Sequence, residues 1–118
     1  MAIGSLHEVV VDCAVPMSSA LFWRDVVGGT IEAVHDDWVV LHGSPLRIGF
    51  QRVPEPKSVK NRVHLDVGVP DRAGLVAAAE LAERLGARRL GGVVDEPEGS
   101  FQAMIDPDGN EFCFVAEG

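Results

Sequence analysis

The residues best suited to chemistry in this chain are one histidine and a group of carboxylates. Glu8 and Asp12 fall on one face of a strand-like segment, because side chains alternate along a strand. Asp66 shares a face with His64 in the same way, and could orient its ring or titrate with it. Histidine binds divalent metals, and carboxylates act as bases or bind hard ions. If these four side chains line one hollow, they supply counter-charge for a cationic or hydroxyl-rich ligand.

A second informative stretch lies near the end of the chain. The segment 106–110, Asp-Pro-Asp-Gly-Asn, predicts a tight turn in which glycine or asparagine supplies a positive φ. The strand that follows alternates, so that Phe112 and Phe114 point to one face and Cys113 to the other. If the phenylalanines belong to the core, Cys113 lies on the wall of a small-molecule site.

Length and composition restrict the class of protein. The 118 residues, 47% of them hydrophobic, predict one globular domain with a substantial core. A net charge of −8 disfavours nucleic-acid binding, because an acidic surface repels phosphate backbones. The sequence shows neither an apolar run of the roughly 18 residues that a membrane span needs nor a signal peptide. We therefore expect a cytoplasmic protein in which Cys13 and Cys113 are thiols rather than a disulfide.

The first half of the chain predicts a strand, a helix and three further strands. Pro16 introduces the helix and Gly28 ends it, since proline suits the first helical turn and glycine suits the residue after the last. The predicted helix is 18–27, and the predicted strands are 6–13, 30–34, 38–41 and 46–53. Two prolines and mixed charge predict a linker at 54–61.

The second half repeats this order. Asp71 is a predicted helix N-cap, and the alanine- and leucine-rich run 75–85 predicts a helix that ends at Gly86. The predicted strands are 62–69, 88–91, 100–105 and 111–116, and the stretch 94–100 is expected to be a loop.

The repetition predicts an α+β fold made of two βαβββ modules. Glu8 and His64 open the modules at matching positions, and the segment 49–52 matches 111–114 in the closing strands. Such modules form a cup-shaped mixed sheet with the helices on its outer face, and a cup lined by two half-sites predicts a ligand pocket. The modules span about 5–53 and about 62–116 of a single domain, 1–118.

Three segments resemble the vicinal-oxygen-chelate superfamily, which includes glyoxalase I, bleomycin-resistance proteins, fosfomycin-resistance enzymes and extradiol dioxygenases. The turn 106–110 resembles the Asp-Pro-(Asp/Glu)-Gly-Asn turn that precedes the closing strand in this group. The run 21–28, Leu-Phe-Trp-Arg-Asp-Val-Val-Gly, resembles its first-helix pattern of Phe-Tyr followed by Leu-Gly. The sequence Asn-Glu-Phe-Cys at 110–113 is similar to the glyoxalase-like branch. The resemblance covers about residues 6–115 and implies paired βαβββ modules.

The resemblance also implies a metal site. Metal-using members take ligands from the first and last strands of each module, positions that correspond here to Glu8, Gln51, His64 and Cys113. The expected ligands of a divalent ion (Zn, Ni, Mn or Fe) are Glu8, Gln51 and His64, with Glu8 and His64 as catalytic groups. Cys113 departs from the metal-dependent members, which carry glutamate there, and Glu111 is two residues away. This departure favours weak or absent metal dependence.

Further side chains are expected to contact the ligand. The predicted substrate-binding residues are Gln51, Asp66, Cys113 and the aromatic Trp38, Phe50 and Phe101, although the aromatic residues equally suit the core or an interface. Three functions are consistent with the sequence. The first is a small-molecule-binding lyase or isomerase with little metal dependence, the second a non-enzymatic sequestering protein, and the third a metal-dependent glyoxalase or dioxygenase. Open sheet edges favour a homodimer, and neither a membrane nor a nucleic acid is expected as a partner.

Overall fold

The computed structural model describes residues 2–43 and 45–117. The chain divides into two compact units, Met1–Pro56 and Lys57–Gly118. The predicted linker 54–61 is therefore divided between the two units: residues 54–56 belong to the first and residues 57–61 to the second. Within the described residues, no helix is both long enough and apolar enough to cross a membrane.

The first unit contains one helix on a four-stranded mixed sheet. The strand order is β1-β4-β3-β2; β1 and β4 are parallel, and the other pairs are antiparallel. The elements are β1 (Glu8–Cys13), α1 (Pro16–Val27), β2 (Thr30–His35), β3 (Trp38–His42) and β4 (Arg47–Arg52).

Helix α1 is delimited by a proline and a glycine, as predicted. It begins at Pro16, two residues earlier than expected, because the fixed φ and missing N–H of proline suit the first turn. It ends where Gly28 takes a φ of 79° and donates its N–H to the Arg24 carbonyl. The core of this unit lies between α1 and the sheet, and each large apolar side chain buried there contributes about 1.5–3 kcal/mol. Its main members are Ala20, Phe22, Trp23, Val39, Leu41, Ile48 and Phe50.

The second unit repeats the arrangement with an additional short strand. The strand order is β5-β9-β8-β6, with β7 paired to β8, and β5 and β9 are parallel. The elements are β5 (Leu65–Gly68), α2 (Arg72–Arg84), β6 (Arg88–Arg89), β7 (Val94–Glu96), β8 (Gly99–Ile105) and β9 (Glu111–Glu117). Two βαβββ modules in an α+β fold are thus confirmed.

The alternation predicted for the last strand is confirmed. Phe112 and Phe114 are buried together with Met104 and with Leu75 of α2, whereas Cys113 is half-buried on the other face. The turn before this strand depends on Asp106, whose Oδ1 accepts the N–H groups of residues 108 and 110 at 2.9 Å each. This buried carboxylate fixes the turn, with Gly109 at a φ of 91°.

Several sequence-based predictions in this unit are wrong in detail. The strand predicted at 88–91 covers only Arg88–Arg89, and α2 begins at Arg72 rather than at residue 75. The sequence predicts a loop at 94–100, but Val94–Glu96 forms a strand opposite Phe101, Ser100 and Gly99. A three-residue strand with one apolar side chain lacks a recognisable period, and here it forms because β8 offers an edge to pair with. The opening strand β5 is also shorter than the predicted 62–69, so that His64 immediately precedes it.

Asp71 caps α2 as predicted: its Oδ1 accepts the N–H of Gly74 at 2.7 Å. We expect Asp71→Ala to lower the free energy of unfolding by about 1 kcal/mol, because one N–H of the first helical turn loses its acceptor. Urea denaturation followed by circular dichroism measures this change. Asp71→Asn keeps an acceptor oxygen and serves as the control; an equal loss of stability in both variants would contradict the capping role.

Candidate functional site

The candidate residues of the first unit lie on the sheet face that α1 does not cover. Side chains alternate along each strand, and residues paired in register share a face. Phe50 and Leu41 point into the core, so their sequence neighbours point away from α1. This side of the sheet, the first helix-free face, carries Glu8, Val10, Asp12, Trp38, Val40, His42, Arg47, Gly49 and Gln51. Val40 and Gly49 are buried at its centre.

Glu8 is engaged in an ion pair on this face. Arg47 stands directly opposite it in the parallel β1–β4 pair and donates from Nε to Glu8 Oε2 at 3.2 Å. The Glu8 side chain is only 16% exposed, so the pairing compensates a charge that water solvates poorly. To act as a base or a metal ligand, as the sequence predicts, Glu8 must first lose this partner. Arg47 was not among the predicted site residues, because strand register is not visible in the sequence.

The structure does not bring Glu8 and Gln51 together. Gln51 stands opposite Asp12, four residues along the strands from the Glu8 pair. At about 3.3 Å per residue this separates the Cα atoms by roughly 13 Å. Two ligands of one ion place their donor atoms within about 4 Å of each other. The predicted combination of these two side chains on one ion is therefore poorly supported.

The benzo ring of Trp38 lies over the backbone of Gly49 on the same face. A Cβ atom on Gly49 would lie 2.9 Å from Cζ2 and 3.1 Å from Cζ3 of the indole, and closer still to Cη2. The benzo ring thus occupies the space that a side chain at position 49 would need. An isolated glycine inside a strand signals such a close approach, although not its partner. Trp38 remains half-buried rather than enclosed.

The other predicted aromatic residues differ in position. Phe101 is half-buried in β8, opposite Val115 and on the face away from α2. Phe50 is 0% exposed and points to the face that α1 covers. The predicted contact of Phe50 with a ligand is therefore wrong. Phe50 is a core residue, because side chains alternate along β4 and Phe50 points to the face opposite that of Gln51.

The face of the second sheet away from α2, the second helix-free face, carries the densest group of polar side chains. Asp66 and Cys113 are direct partners across the β5–β9 pair, and His64 precedes Asp66 by two residues. Donor atoms of these three side chains all lie within 4.8 Å of one another. Nδ1 of His64 is 3.6 Å from Oδ1 of Asp66, and both side chains are exposed. The structure thus brings together three of the predicted site residues.

Cys113 is not a thiolate at rest. Burial raises the pKa of its thiol, the nearby Asp66 carboxylate raises it further, and Lys60 opposes both effects. Because the ordinary value is already 9.0, the sulfur carries its proton at neutral pH. Cys113 is therefore a weak nucleophile unless a cation replaces the proton.

Glu111 does not substitute for the glutamate that Cys113 replaces. Its Oε1 accepts from Lys57 Nζ and its Oε2 from the Asn61 backbone N–H, each at 3.0 Å. Burial alone would raise the pKa of Glu111, but these hydrogen bonds outweigh burial and hold the pKa below its ordinary value. Both carboxylate oxygens are thus used to attach residues 57–61 to β9. We call this arrangement the linker clamp.

A cavity of about 520 Å³ opens elsewhere in the first unit, beside the start of α1. Its lining includes Val15, Pro16, Met17, His35, Val39 and Arg52. None of these is a predicted site residue, and Val39 belongs to the face that α1 covers. The cavity is therefore separate from the side chains expected to do chemistry.

Comparison with known proteins places the chain in a family. A family model described as a glyoxalase-like domain matches residues 8–115. The chain belongs to the glyoxalase-like domain family. This result confirms the resemblance to the vicinal-oxygen-chelate superfamily that the sequence predicts. A search of curated proteins finds no match.

Solved structures share the fold of this glyoxalase-like domain. A glyoxalase/bleomycin resistance protein/dioxygenase family enzyme from Burkholderia phytofirmans PsJN gives a TM-score of 0.84 at 16% identity, covering 98% of this chain and 100% of that one. A mutant of a fosfomycin resistance protein from Listeria monocytogenes, complexed with Mn(II) and 1S,2S-dihydroxypropylphosphonic acid, gives a TM-score of 0.81 at 12% identity, covering 99% of this chain and 93% of that one. A bleomycin-binding protein from Streptomyces verticillus, complexed with copper(II)-bleomycin, gives 0.66 at 21%, covering 99% and 100%. At these identities the likeness shows the fold alone.

The strand registers change how the two halves of the glyoxalase-like domain correspond. Val10 lies opposite Gly49 in the first unit, and Asp66 lies opposite Cys113 in the second. Val10 stands two residues after Glu8, and Asp66 stands two residues after His64, the residues that open the two modules. Gly49 is therefore the counterpart of Cys113, and the sequence-based match of Gln51 with Cys113 is wrong by two residues.

The metal centre implied by the family consequently does not fit the first unit. The position that should supply a ligand from the last strand is Gly49, which has no side chain and lies under Trp38. The first-strand position is Glu8, which is paired with Arg47. The second unit differs, because its imidazole, carboxylate and thiol are donors that suit a divalent ion.

The linker clamp makes stability depend on pH. The folded-state pKa of Glu111 lies below its ordinary value of 4.5, so its ionised form contributes stability in full above that value. We expect this contribution, about 1.5–3 kcal/mol for hydrogen bonds to a charged group, to be lost as pH falls from 4.5 through the lowered folded-state value. Urea denaturation between pH 3 and 7 should therefore show a shallower loss of stability in Glu111→Gln than in the wild type. Parallel curves for the two proteins would contradict this role.

The contact between Trp38 and Gly49 is testable by fluorescence. In Gly49→Ala the new methyl group meets the indole, so we expect the ring to move outward, with red-shifted emission and a stability loss of about 1–3 kcal/mol. Trp23 is 3% exposed and should contribute an unchanged, poorly quenched component. Gly68→Ala is the matched control, because a Cβ on that strand glycine meets nothing within 4 Å. Unchanged emission and acrylamide quenching in Gly49→Ala would show that the ring does not lie there.

Proposed function

We propose that this glyoxalase-like domain binds a small, flat, positively charged organic molecule on its first helix-free face and holds it without transforming it. The observation that carries the proposal is the placement of Trp38 over Gly49. At the counterpart of a metal-ligand position, the chain has a glycine and an indole ring instead of a donor side chain. A site for coordination is thereby replaced by an aromatic surface.

The indole is suited to stacking. Its contact with Gly49 holds it against the sheet, and the ring remains half-buried rather than enclosed. A preorganised ring loses little conformational entropy when a planar ligand stacks on it. A cation over an indole gains about 0.5–2 kcal/mol from the ring's quadrupole, beyond the apolar area that the contact buries.

The surrounding charge favours a cation. Asp12 and Glu32 place further carboxylates on this face, although Glu32 Oε1 lies 2.6 Å from Nε2 of His42; Arg47 is matched by Glu8. The chain as a whole carries a net charge of −8. Attraction of a cationic ligand acts over about 8 Å at physiological ionic strength and weakens as salt increases.

Several features favour binding over catalysis. A general base must be free to accept a proton near the substrate, whereas Glu8 is held by Arg47. Cys113 retains its proton, and both carboxylate oxygens of Glu111 are occupied. A metal-free lyase or isomerase would therefore depend on His64, with Asp66 at 3.6 Å as its partner. The bleomycin-binding protein with the same fold is a precedent for a binding role.

Other sequence-based expectations stay predictions. They include a shared site containing both Glu8 and His64, a homodimer, and a cytoplasmic location. The first is testable by comparing ligand affinity in Glu8→Gln and His64→Ala.

The proposed function predicts a ligand that quenches Trp38. In a thermal-shift screen of metal-free protein, cationic planar heteroaromatic compounds should raise the melting temperature more than neutral or anionic compounds of equal size. Bound compounds should quench the fluorescence of the half-buried Trp38, and Trp38→Leu should weaken their binding at least tenfold. Phe101→Leu is the matched control, because it removes a half-buried aromatic ring from the other sheet and should change affinity less than threefold.

Two outcomes would overturn the proposal. One is equal binding by Trp38→Leu and the wild type, which would place the ligand elsewhere. The other is conversion of a bound compound to product by metal-free protein, detected by chromatography and abolished in His64→Ala. That result would make the protein an acid–base enzyme.

A further inference from the structure

We propose that His64, Asp66 and Cys113 form a binding site for a thiophilic divalent ion such as Zn(II), contained entirely in the second unit. This inference is independent of the ligand proposed for Trp38. It shares the positions of His64 and Cys113 with the four-strand centre that the family resemblance implies, but it takes its third ligand from Asp66 and needs neither Glu8 nor Gln51.

The geometry requires only small adjustments. Bond lengths of about 2.0–2.3 Å around a tetrahedral ion place neighbouring donor atoms roughly 3.3–3.8 Å apart. The three donor atoms already lie within 4.8 Å of one another, and the His64–Asp66 distance is 3.6 Å. His64 and Asp66 are exposed, so rotation of their side chains costs little packing. The backbone is fixed meanwhile by the parallel pairing of Asp66 with Cys113.

The donor types select the class of ion. One thiolate, one imidazole and one carboxylate suit Zn(II) or Co(II), whereas Mg(II) and Mn(II) prefer sites made of oxygen. Binding converts the Cys113 S–H into a metal–thiolate bond and releases one proton to solvent. Lys60 lies close enough to favour the thiolate form. Three protein ligands leave at least one coordination position for water or an exogenous ligand.

Neighbouring carboxylates do not complete the site. The oxygens of Glu111 accept hydrogen bonds from Lys57 and Asn61, so recruiting this side chain would dismantle the linker clamp. Glu117 lies on the same face as Cys113 but four residues further along β9. The ion would therefore be held by three side chains, and removal of any one should weaken binding strongly.

Titration of the full-length, metal-free protein with Co(II) tests the inference. We expect one equivalent to bind with a near-ultraviolet charge-transfer band from thiolate sulfur. Cys113→Ser should abolish that band, and Asp66→Asn and His64→Ala should each weaken binding at least tenfold. Zn(II) should displace Co(II), whereas excess Mg(II) should not. Circular dichroism of each variant verifies that it is folded.

Two control variants test whether the ion depends on these three side chains alone. Glu117→Gln removes a carboxylate from the same face as Cys113, and Trp38→Leu removes the indole proposed to stack on the organic ligand. Both variants should bind Co(II) with an affinity within twofold of the wild type. The inference is overturned if the band persists without Cys113, if Asp66→Asn binds normally, or if Glu8→Gln weakens binding as much as His64→Ala. The last result would restore a centre built from both units. Since metal binding and ligand binding are read out separately, either proposal can fail alone.

Discussion

The parallel pairing between the first and last strands of each unit decides which side chains meet on the helix-free faces. Its hydrogen bonds set Glu8 beside Arg47 in one unit and Asp66 beside Cys113 in the other. A slip of one residue would turn each strand's side chains to the opposite face. The chemistry available at each face is therefore a property of strand register, which the buried side chains of the opposite faces enforce.

The two units neutralise half-buried charge in different ways. In the first, Arg47 of the last strand meets Glu8 of the first strand. In the second unit, the residue at the position of Arg47 is Glu111. The positive charge that pairs with Glu111 belongs to Lys57, which lies outside the sheet. Poorly solvated carboxylates need such partners, because desolvation of an unpaired charge is costly. What differs between the units is thus the source of the compensating charge: a strand residue in the first unit and the segment before β5 in the second.

Local sequence signals were sufficient for much of the fold. The proline and glycine that delimit α1, the Asp71 cap and the alternation of Phe112 with Cys113 are short-range features, and each is confirmed. The strand at 94–96 was missed because three residues carry no period.

The site was predicted less well, for a related reason. A strand pattern repeats every two residues, so a match displaced by two residues keeps every side chain on its proper face. The match of Gln51 with Cys113 is displaced by two residues in this way, and the two-residue period of the strand does not reveal the error. The contacts of Trp38 with Gly49 and of Glu8 with Arg47 join different strands, and only the folded register reveals them. The sequence places Asp66 on the same face as His64, and the resemblance places His64 and Cys113 in one site, but the pairing of Asp66 with Cys113 across β5 and β9 is visible only in the fold.

The linker clamp has a consequence for how this duplicated fold could arise or be rearranged. By sequence repetition, the second copy of the module starts near residue 62, yet a half-buried carboxylate within it depends on Lys57 and the Asn61 backbone. The start of the repeat in the sequence and the start of the second folded unit therefore do not coincide. A circularly permuted chain opened between 61 and 62 would separate Glu111 from these partners, whereas new termini placed just before Lys57 would preserve them.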